Sequence, residues 1–262
     1  MAIDVSVPSP GLLGALMVGH FLGNFVFQTG WMAGRKERLR VVAAHAGIVA
    51  VVSWALTGYF GSWALLLILW VVHFVVALAR DAGASVAEDS PNKTAVLFVS
   101  EQIVRLSILI FLVWAVSSDV VNLQGVSGEG AWARVFGDLY LRLLVVVGGW
   151  VVAAPVVGFF LGILLSRFER ELTQAQKEGL SRGGYWIGLS ERSLIYLFIL
   201  VGEPSGIGFL AAAKSVFRIG ELRDEKDRKL AEYILIGTLM SFTLAMIVGL
   251  LTKGIPTALG FE

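Results

Sequence analysis

The chain has 262 residues, of which 56% are hydrophobic and 16% charged, with 16 Phe, 8 Trp and no Cys; its mean hydropathy is +0.78. That composition excludes an ordinary soluble domain, and the missing Cys excludes disulfides, thiol redox chemistry and thiolate metal sites. A net charge of +1 says little about partners.

Crossing a hydrocarbon core of about 30 Å takes about 20 helical residues, and apolar runs of that length recur along almost the whole chain. Lipid offers no partner to a backbone N–H or C=O, so such runs predict an all-α, polytopic membrane bundle with the bilayer as its main partner. The first ten residues, MAIDVSVPSP, lack a basic n-region and read as a short polar tail rather than a cleavable signal. Spans are expected near residues 11–30, 40–58, 62–80, 95–117, 138–166, 186–202 and 231–252, with a shorter apolar piece at 206–217, giving seven or eight membrane helices. Two domains are expected: 1–120, a four-helix membrane domain, and 121–262, a membrane domain with charged loops and the short helix.

Basic residues set the orientation. The connections near 31–40, 80–94, 167–183 and 218–230 carry fifteen of the 21 Lys and Arg, whereas the opposite side holds only Arg134 and Lys253. Both termini are therefore expected outside and the four basic connections in the cytoplasm.

The fifth span presents Gly148, Gly149, Ala154, Gly158 and Gly162, a small-residue face that predicts close helix packing, with Pro155 bending the helix. Glu191 and Arg192 are adjacent within the next span and point about 100° apart, so each needs its own partner. The segment GEPSGIGFLAAAKSVFR that follows is either a short eighth span or half of a re-entrant hairpin, and a tight Pro-Gly turn explains it equally plainly. IGELRDEKDRKLAE mixes charges densely and reads as solvated. There is no internal repeat.

Against this apolar background, His20, Asn24 and Gln28 stand four residues apart on one predicted helix face. His45 and His73 fall in the cytoplasmic halves of the second and third spans, and Glu101, Gln102 and Arg105 at similar depth in the fourth. Ionisable groups in hydrocarbon cost kilocalories each, so they face the bundle interior, pair, or line water. Short connections make spans one to four neighbours, and these eight residues are expected to meet in one cytoplasm-facing cavity. Glu101 and Arg105, at i and i+4, are placed to neutralise one another.

HFLGNFVFQTGWMAGRKERLR, His45, LLLILWVVHFVVALARD and FVSEQIVRL together resemble a bacterial inner-membrane family known only as a domain of unknown function, covering roughly the first 120 residues. The segment from YWIGLSERSLIYLF to LIGTLMSF looks like the C-terminal extension of its longer members. The family pattern in turn resembles the His and Asp clusters of membrane-bound metal-dependent hydrolases. His20, Gln28, His45, His73 and Gln102 match it; Asn24, Ala77 and Glu101 each stand for an Asp, and Arg105 for a His. The resemblance implies a divalent ion such as Zn²⁺ on His20, His45 and His73, but a guanidinium beside it would repel that ion.

Two functional classes follow. In one, the cavity binds or transports a small solute or ion, with Arg105 as an anion counter-charge and the histidines as proton-responsive groups. In the other, His20, His45 and His73 hold a metal, Glu101 activates its water as the catalytic base, and Arg105 holds substrate phosphate. A third reading makes the polar cluster a packing device in a regulatory or scaffold subunit. A homo-oligomer is compatible with all three. No phosphate-binding glycine loop, nucleophile elbow, dinucleotide fingerprint or nucleic-acid module occurs in the chain.

Overall fold

The computed structural model of the protein describes residues 9–28, 32, 39–87, 90–173, 182–219 and 228–258. All regular structure among them is helical. Six helices are long and apolar enough to cross a membrane: Leu39–Thr57, Trp63–Arg80, Pro91–Ser117, Asp138–Glu169, Gly183–Val201 and Arg228–Ile255, with shorter apolar helices at Pro10–Val26 and Ser205–Val216.

The helices gather into two compact units, Met1–Val151 and Val152–Glu262. The boundary lies some thirty residues beyond the expected one at 120. The reason is the helix Asp138–Val151, which packs on the first helix: Tyr140 and Leu144 share a core with Ala15 and Val18.

In unit 1, α1 (Pro10–Phe21) starts on a Ser9 cap, with Pro10 in the first turn where its missing N–H costs nothing. It continues into a π-helical turn, Leu22–Val26, which holds Asn24. α2 (Leu39–Thr57) lies against it through Gly19 and Gly23. A Cβ on Gly19 would collide with the backbone of Ser53, and one on Gly23 would come 2.7 Å from the Val49 Cα. This is the small-residue contact by which membrane helices approach closely, and the sequence reading overlooked it. α3 (Trp63–Ala87) and α4 (Pro91–Ser117) complete a core of Leu12, Leu16, Leu65, Leu69, Leu109 and Val113. A short α5 (Ala131–Phe136) and α6 (Asp138–Val151) close the unit.

Unit 2 begins with a second π-helical turn, Val152–Val156, enclosing Pro155. The expected bend therefore takes the form of a widened turn, since proline has no N–H to continue the α ladder. α7 (Val157–Glu169), α8 (Gly183–Val201), α9 (Ser205–Ile219) and α10 (Arg228–Ala258) follow. Val157, Leu161 and Leu165 pack on Tyr233, Ile236 and Met240, and Ile195 on Phe242 and Ala245. α8 ends at Gly202, whose φ of 80° suits glycine. Gly206 then starts α9 with no side chain, where a Cβ would lie 2.7 Å from the Phe198 ring. The Pro-Gly segment is thus a tight helix-to-helix turn.

Candidate functional site

Four helices of unit 1 bring seven of the eight predicted polar residues into mutual contact. His20 of α1 is fully buried and His73 of α3 is 2% exposed. His20 Nδ1 lies 3.1 Å from His73 Nε2, and His20 Nε2 lies 3.1 Å from Gln102 Oε1 of α4. The outer nitrogen of His73, Nδ1, lies 2.8 Å from the Leu69 carbonyl one turn back. Gln102, His20, His73 and Leu69 thereby form one chain of hydrogen bonds across three helices.

A second branch meets the first at Asn24. Its Nδ2 donates to the His20 carbonyl at 2.7 Å and stands 3.1 Å from His20 Nδ1. Its Oδ1 accepts from Arg105 Nη1 at 2.8 Å and from His45 Nε2 at 3.2 Å. Arg105, only 3% exposed, gives its Nη2 to Glu101 at 2.6 Å. Glu101 also lies 4.0 Å from Arg80 of α3. The expected i,i+4 pair is therefore present, with a second cation near the carboxylate that sequence spacing alone does not reveal.

Gln28 is placed differently. The helix stops at the Phe27 cap immediately before it, and the π turn has already rotated the register. Gln28 therefore stands just beyond the helix end, whereas His20 and Asn24 lie within it. His45 and Gln102 are half-buried at the edge of the cluster.

Hydrogen-bond roles follow from these partners. A carbonyl can only accept, so His73 Nδ1 and, with Gln102 turned as it stands, His20 Nε2 both carry protons. In neutral rings the two facing nitrogens, His20 Nδ1 and His73 Nε2, would then be bare lone pairs at 3.1 Å. One proton between them converts that contact into a hydrogen bond and gives the pair a shared positive charge. The neutral alternative requires the Gln102 amide to turn over. Its Nε2 then donates to His20 Nε2, His20 Nδ1 donates to His73, and Asn24 Nδ2 gives up His20 Nδ1 and keeps the His20 carbonyl as its acceptor.

A divalent cation does not fit this donor set. Both nitrogens of His20 face other protein groups, Glu101 is committed to Arg105, and the Arg105 guanidinium occupies the neighbourhood of Asn24. Among the described residues no group of three His, Asp or Glu side chains converges for a metal. Two of the departures from the family pattern, Asn24 and Arg105, touch one another. A third, Glu101, pairs with Arg105, and the fourth, Ala77, is buried one turn from His73 and brings no carboxylate.

Unit 2 contains polar burial that the sequence reading left unassigned. Glu191 pairs with Lys214 of α9 at 2.7 Å, whereas Arg192 gives Nε to the Ala154 carbonyl at 2.8 Å and Nη1 to Ser241 Oγ at 3.3 Å. Both are buried, so neither reaches towards headgroups. At the opposite end of α2 from His45, a pocket of about 360 Å³ lies among Gly58, Tyr59, Gly125, Glu129 and Arg134. Burial, followed by the nearby Glu129 charge, holds the Tyr59 phenol above its ordinary range.

Helices of spanning length, apolar side chains such as Leu67, Phe111, Leu239 and Leu251 turned outward, and polar groups turned inward define an integral, multi-pass membrane protein. Residues 12–131 match the family model described as "Protein of unknown function (DUF3307)", in agreement with the resemblance and with the extent of unit 1 less its last helix. No curated protein and no solved structure matches the chain.

Proposed function

We propose that this is a cytoplasmic (inner) membrane protein that binds or transports a small solute or ion through the polar cluster of unit 1, and that the ion its geometry suits is the proton. The observation that carries the reading is the facing nitrogens of His20 and His73 at 3.1 Å, between a donor-demanding Leu69 carbonyl and an amide that can face either way. The cluster has two self-consistent arrangements that differ by one proton and by the orientation of Gln102. An intramembrane histidine pair with that property is suited to take up and pass on a proton. Arg105, Glu101, Arg80 and His45 face it and set its electrostatic surroundings. The distribution of basic residues supports a cytoplasmic approach, with both termini outside.

Reconstitution of the full chain in liposomes tests this. Under an imposed membrane potential, an internal pH dye should report proton entry above that of empty vesicles, falling at least about tenfold in His73→Gln and His20→Gln. Folded wild-type protein that passes no protons, alone or with solutes added, defeats the reading. It favours the packing role, which the mutual satisfaction of the cluster also supports; alanine variants would then lose stability only.

A further inference from the structure

Residues 58–62 join two spans, Leu39–Thr57 and Trp63–Arg80, and residues 118–130 lead from the end of a third, Pro91–Ser117, to α5. So short a loop between two spans lies at the membrane surface. The side chains around it agree. Trp54 stacks on Trp63 and meets Phe60 edge-on, Phe60 meets Trp132, and Trp63, Phe60 and Trp132 are 69%, 44% and 37% exposed. Tryptophans gather at headgroup depth because one part of the ring is apolar and its N–H is polar. The two loops are tied together. The Tyr59 hydroxyl donates to the Gly128 carbonyl, the Ala131 N–H to the Gly58 carbonyl at 3.1 Å, and Trp54 Nε1 to the Ser62 carbonyl at 3.0 Å. Gly125, with φ at 81°, allows their close approach, since a Cβ there would come 2.9 Å from the Gly61 backbone.

Between these loops lies the pocket of about 360 Å³, within the range of about 300–1,000 Å³ that small ligands occupy. Among the described residues, three of its lining side chains, Ser127, Glu129 and Arg134, have no hydrogen-bond or ion-pair partner. The Tyr59 phenol feels both charges, the carboxylate retaining its proton and the guanidinium favouring its loss, so both stand near the same wall of the pocket. Opposite charges that line one pocket without meeting leave room for a group that carries both complements. Gly61 also lines the pocket, and a Cβ on it would meet nothing within 4 Å.

We propose that this pocket binds a zwitterionic phosphoethanolamine group, with its phosphate on Arg134 and its ammonium on Glu129. The guanidinium fork matches two phosphate oxygens, and the Ser127 hydroxyl is a further donor. Glu129 adds selectivity, because a headgroup with a phosphate and no ammonium would leave the carboxylate beside an anion. The aromatic rim at headgroup depth suits a phospholipid, and free phosphoethanolamine offers the same chemistry. The site stands apart from the histidine cluster, at the other end of α2.

The test uses the full chain in detergent. One probe is free phosphoethanolamine, read by thermal unfolding; the other is mixed micelles holding equal phosphatidylethanolamine and phosphatidylglycerol, read by native mass spectrometry of the retained lipid. Wild type is compared with Glu129→Gln, Arg134→Gln and Gly61→Leu; the two charged side chains are exposed and hold no other element in place, so their variants should fold. Wild type should retain phosphatidylethanolamine over phosphatidylglycerol by roughly tenfold. Glu129→Gln should lose that preference while still holding phosphate, and Arg134→Gln should bind either lipid about ten- to a hundredfold more weakly. Gly61→Leu, which keeps both charges and fills open space, should weaken binding as well. A lipid preference identifies a headgroup, whereas stabilisation by free phosphoethanolamine without one identifies a soluble zwitterion. Wild type that neither prefers a lipid nor responds to phosphoethanolamine overturns the proposal, as does a response that survives in Glu129→Gln and Arg134→Gln.

Discussion

Unit 1 and unit 2 each bury an arginine beside a π-helical turn, and they treat its charge in opposite ways. Arg105 is neutralised by Glu101 at 2.6 Å and steadied by Asn24 of the first π turn. Arg192 binds the Ala154 carbonyl of the second π turn and a serine, with the adjacent Glu191 acting on it from beyond ion-pair distance. A π turn widens the helix and frees carbonyls from the regular ladder, which is what lets a guanidinium bond to Ala154 O. The difference teaches that burial of an intramembrane cation is not one phenomenon. In unit 1 the charge is met by a carboxylate at hydrogen-bonding distance, and in unit 2 it is held by a carbonyl and a hydroxyl while the adjacent Glu191 acts on it from further away.

Several substitutions break or sharpen that contrast. The largest effect is expected for Glu101→Ala, which strands the Arg105 charge and should cost about 3–5 kcal/mol of unfolding free energy in detergent. The corresponding change in unit 2, Arg192→Leu, removes a cation held by a carbonyl and a hydroxyl rather than by a close carboxylate and should cost less; a loss as large as that of Glu101→Ala would erase the distinction. Next comes Gly19→Ala, whose Cβ meets the Ser53 backbone of α2. Overpacking there should cost about 1–3 kcal/mol in the same measurement, whereas Gly162→Ala, facing open space, should cost little.

A smaller effect tests the contact between Asn24 and Arg105, two of the four departures from the family pattern. Asn24→Asp places an oxygen where Nδ2 now donates to the His20 carbonyl, and Arg105→His leaves Glu101 without its 2.6 Å partner. Each single change should destabilise, and the double variant should be better than their sum by about 0.5–3 kcal/mol. Strict additivity would show that the two positions do not act as a pair. The smallest effect lies at the far end of unit 1, where the Tyr59 hydroxyl donates to the Gly128 carbonyl. Tyr59→Phe should cost about 1 kcal/mol. Because the folded protein holds this phenol above its ordinary value of about 10, the stability it contributes is present below that pH and lost as pH rises through the folded value. An absorbance titration should show ionisation delayed relative to the unfolded chain.

Eight residues were expected to line one cavity, and seven of them, His20, Asn24, His45, His73, Glu101, Gln102 and Arg105, form one connected set of contacts. Their geometry differed, because they fill the space between α1 and α4 with bonds to one another. The helix itself stops before Gln28, because the π turn and the Phe27 cap end it there. Nothing in the residue types around Asn24 announces a π turn, and the four-residue spacing that seemed to continue is a property of an ideal helix only.

Composition and hydropathy alone determined that this is a bundle of membrane helices and where the spans lie within a few residues. They could do so because lipid forces each span to satisfy its own backbone, which makes that decision local. Tertiary structure alone decided that Asn24 joins His45 to Arg105, that Arg80 approaches Glu101, that Gly19 seats on Ser53, and that Gly158 makes room for Arg192. Each of those depends on the rotation of one helix against another, and a single widened turn changes that rotation without leaving a mark on the hydropathy of the chain.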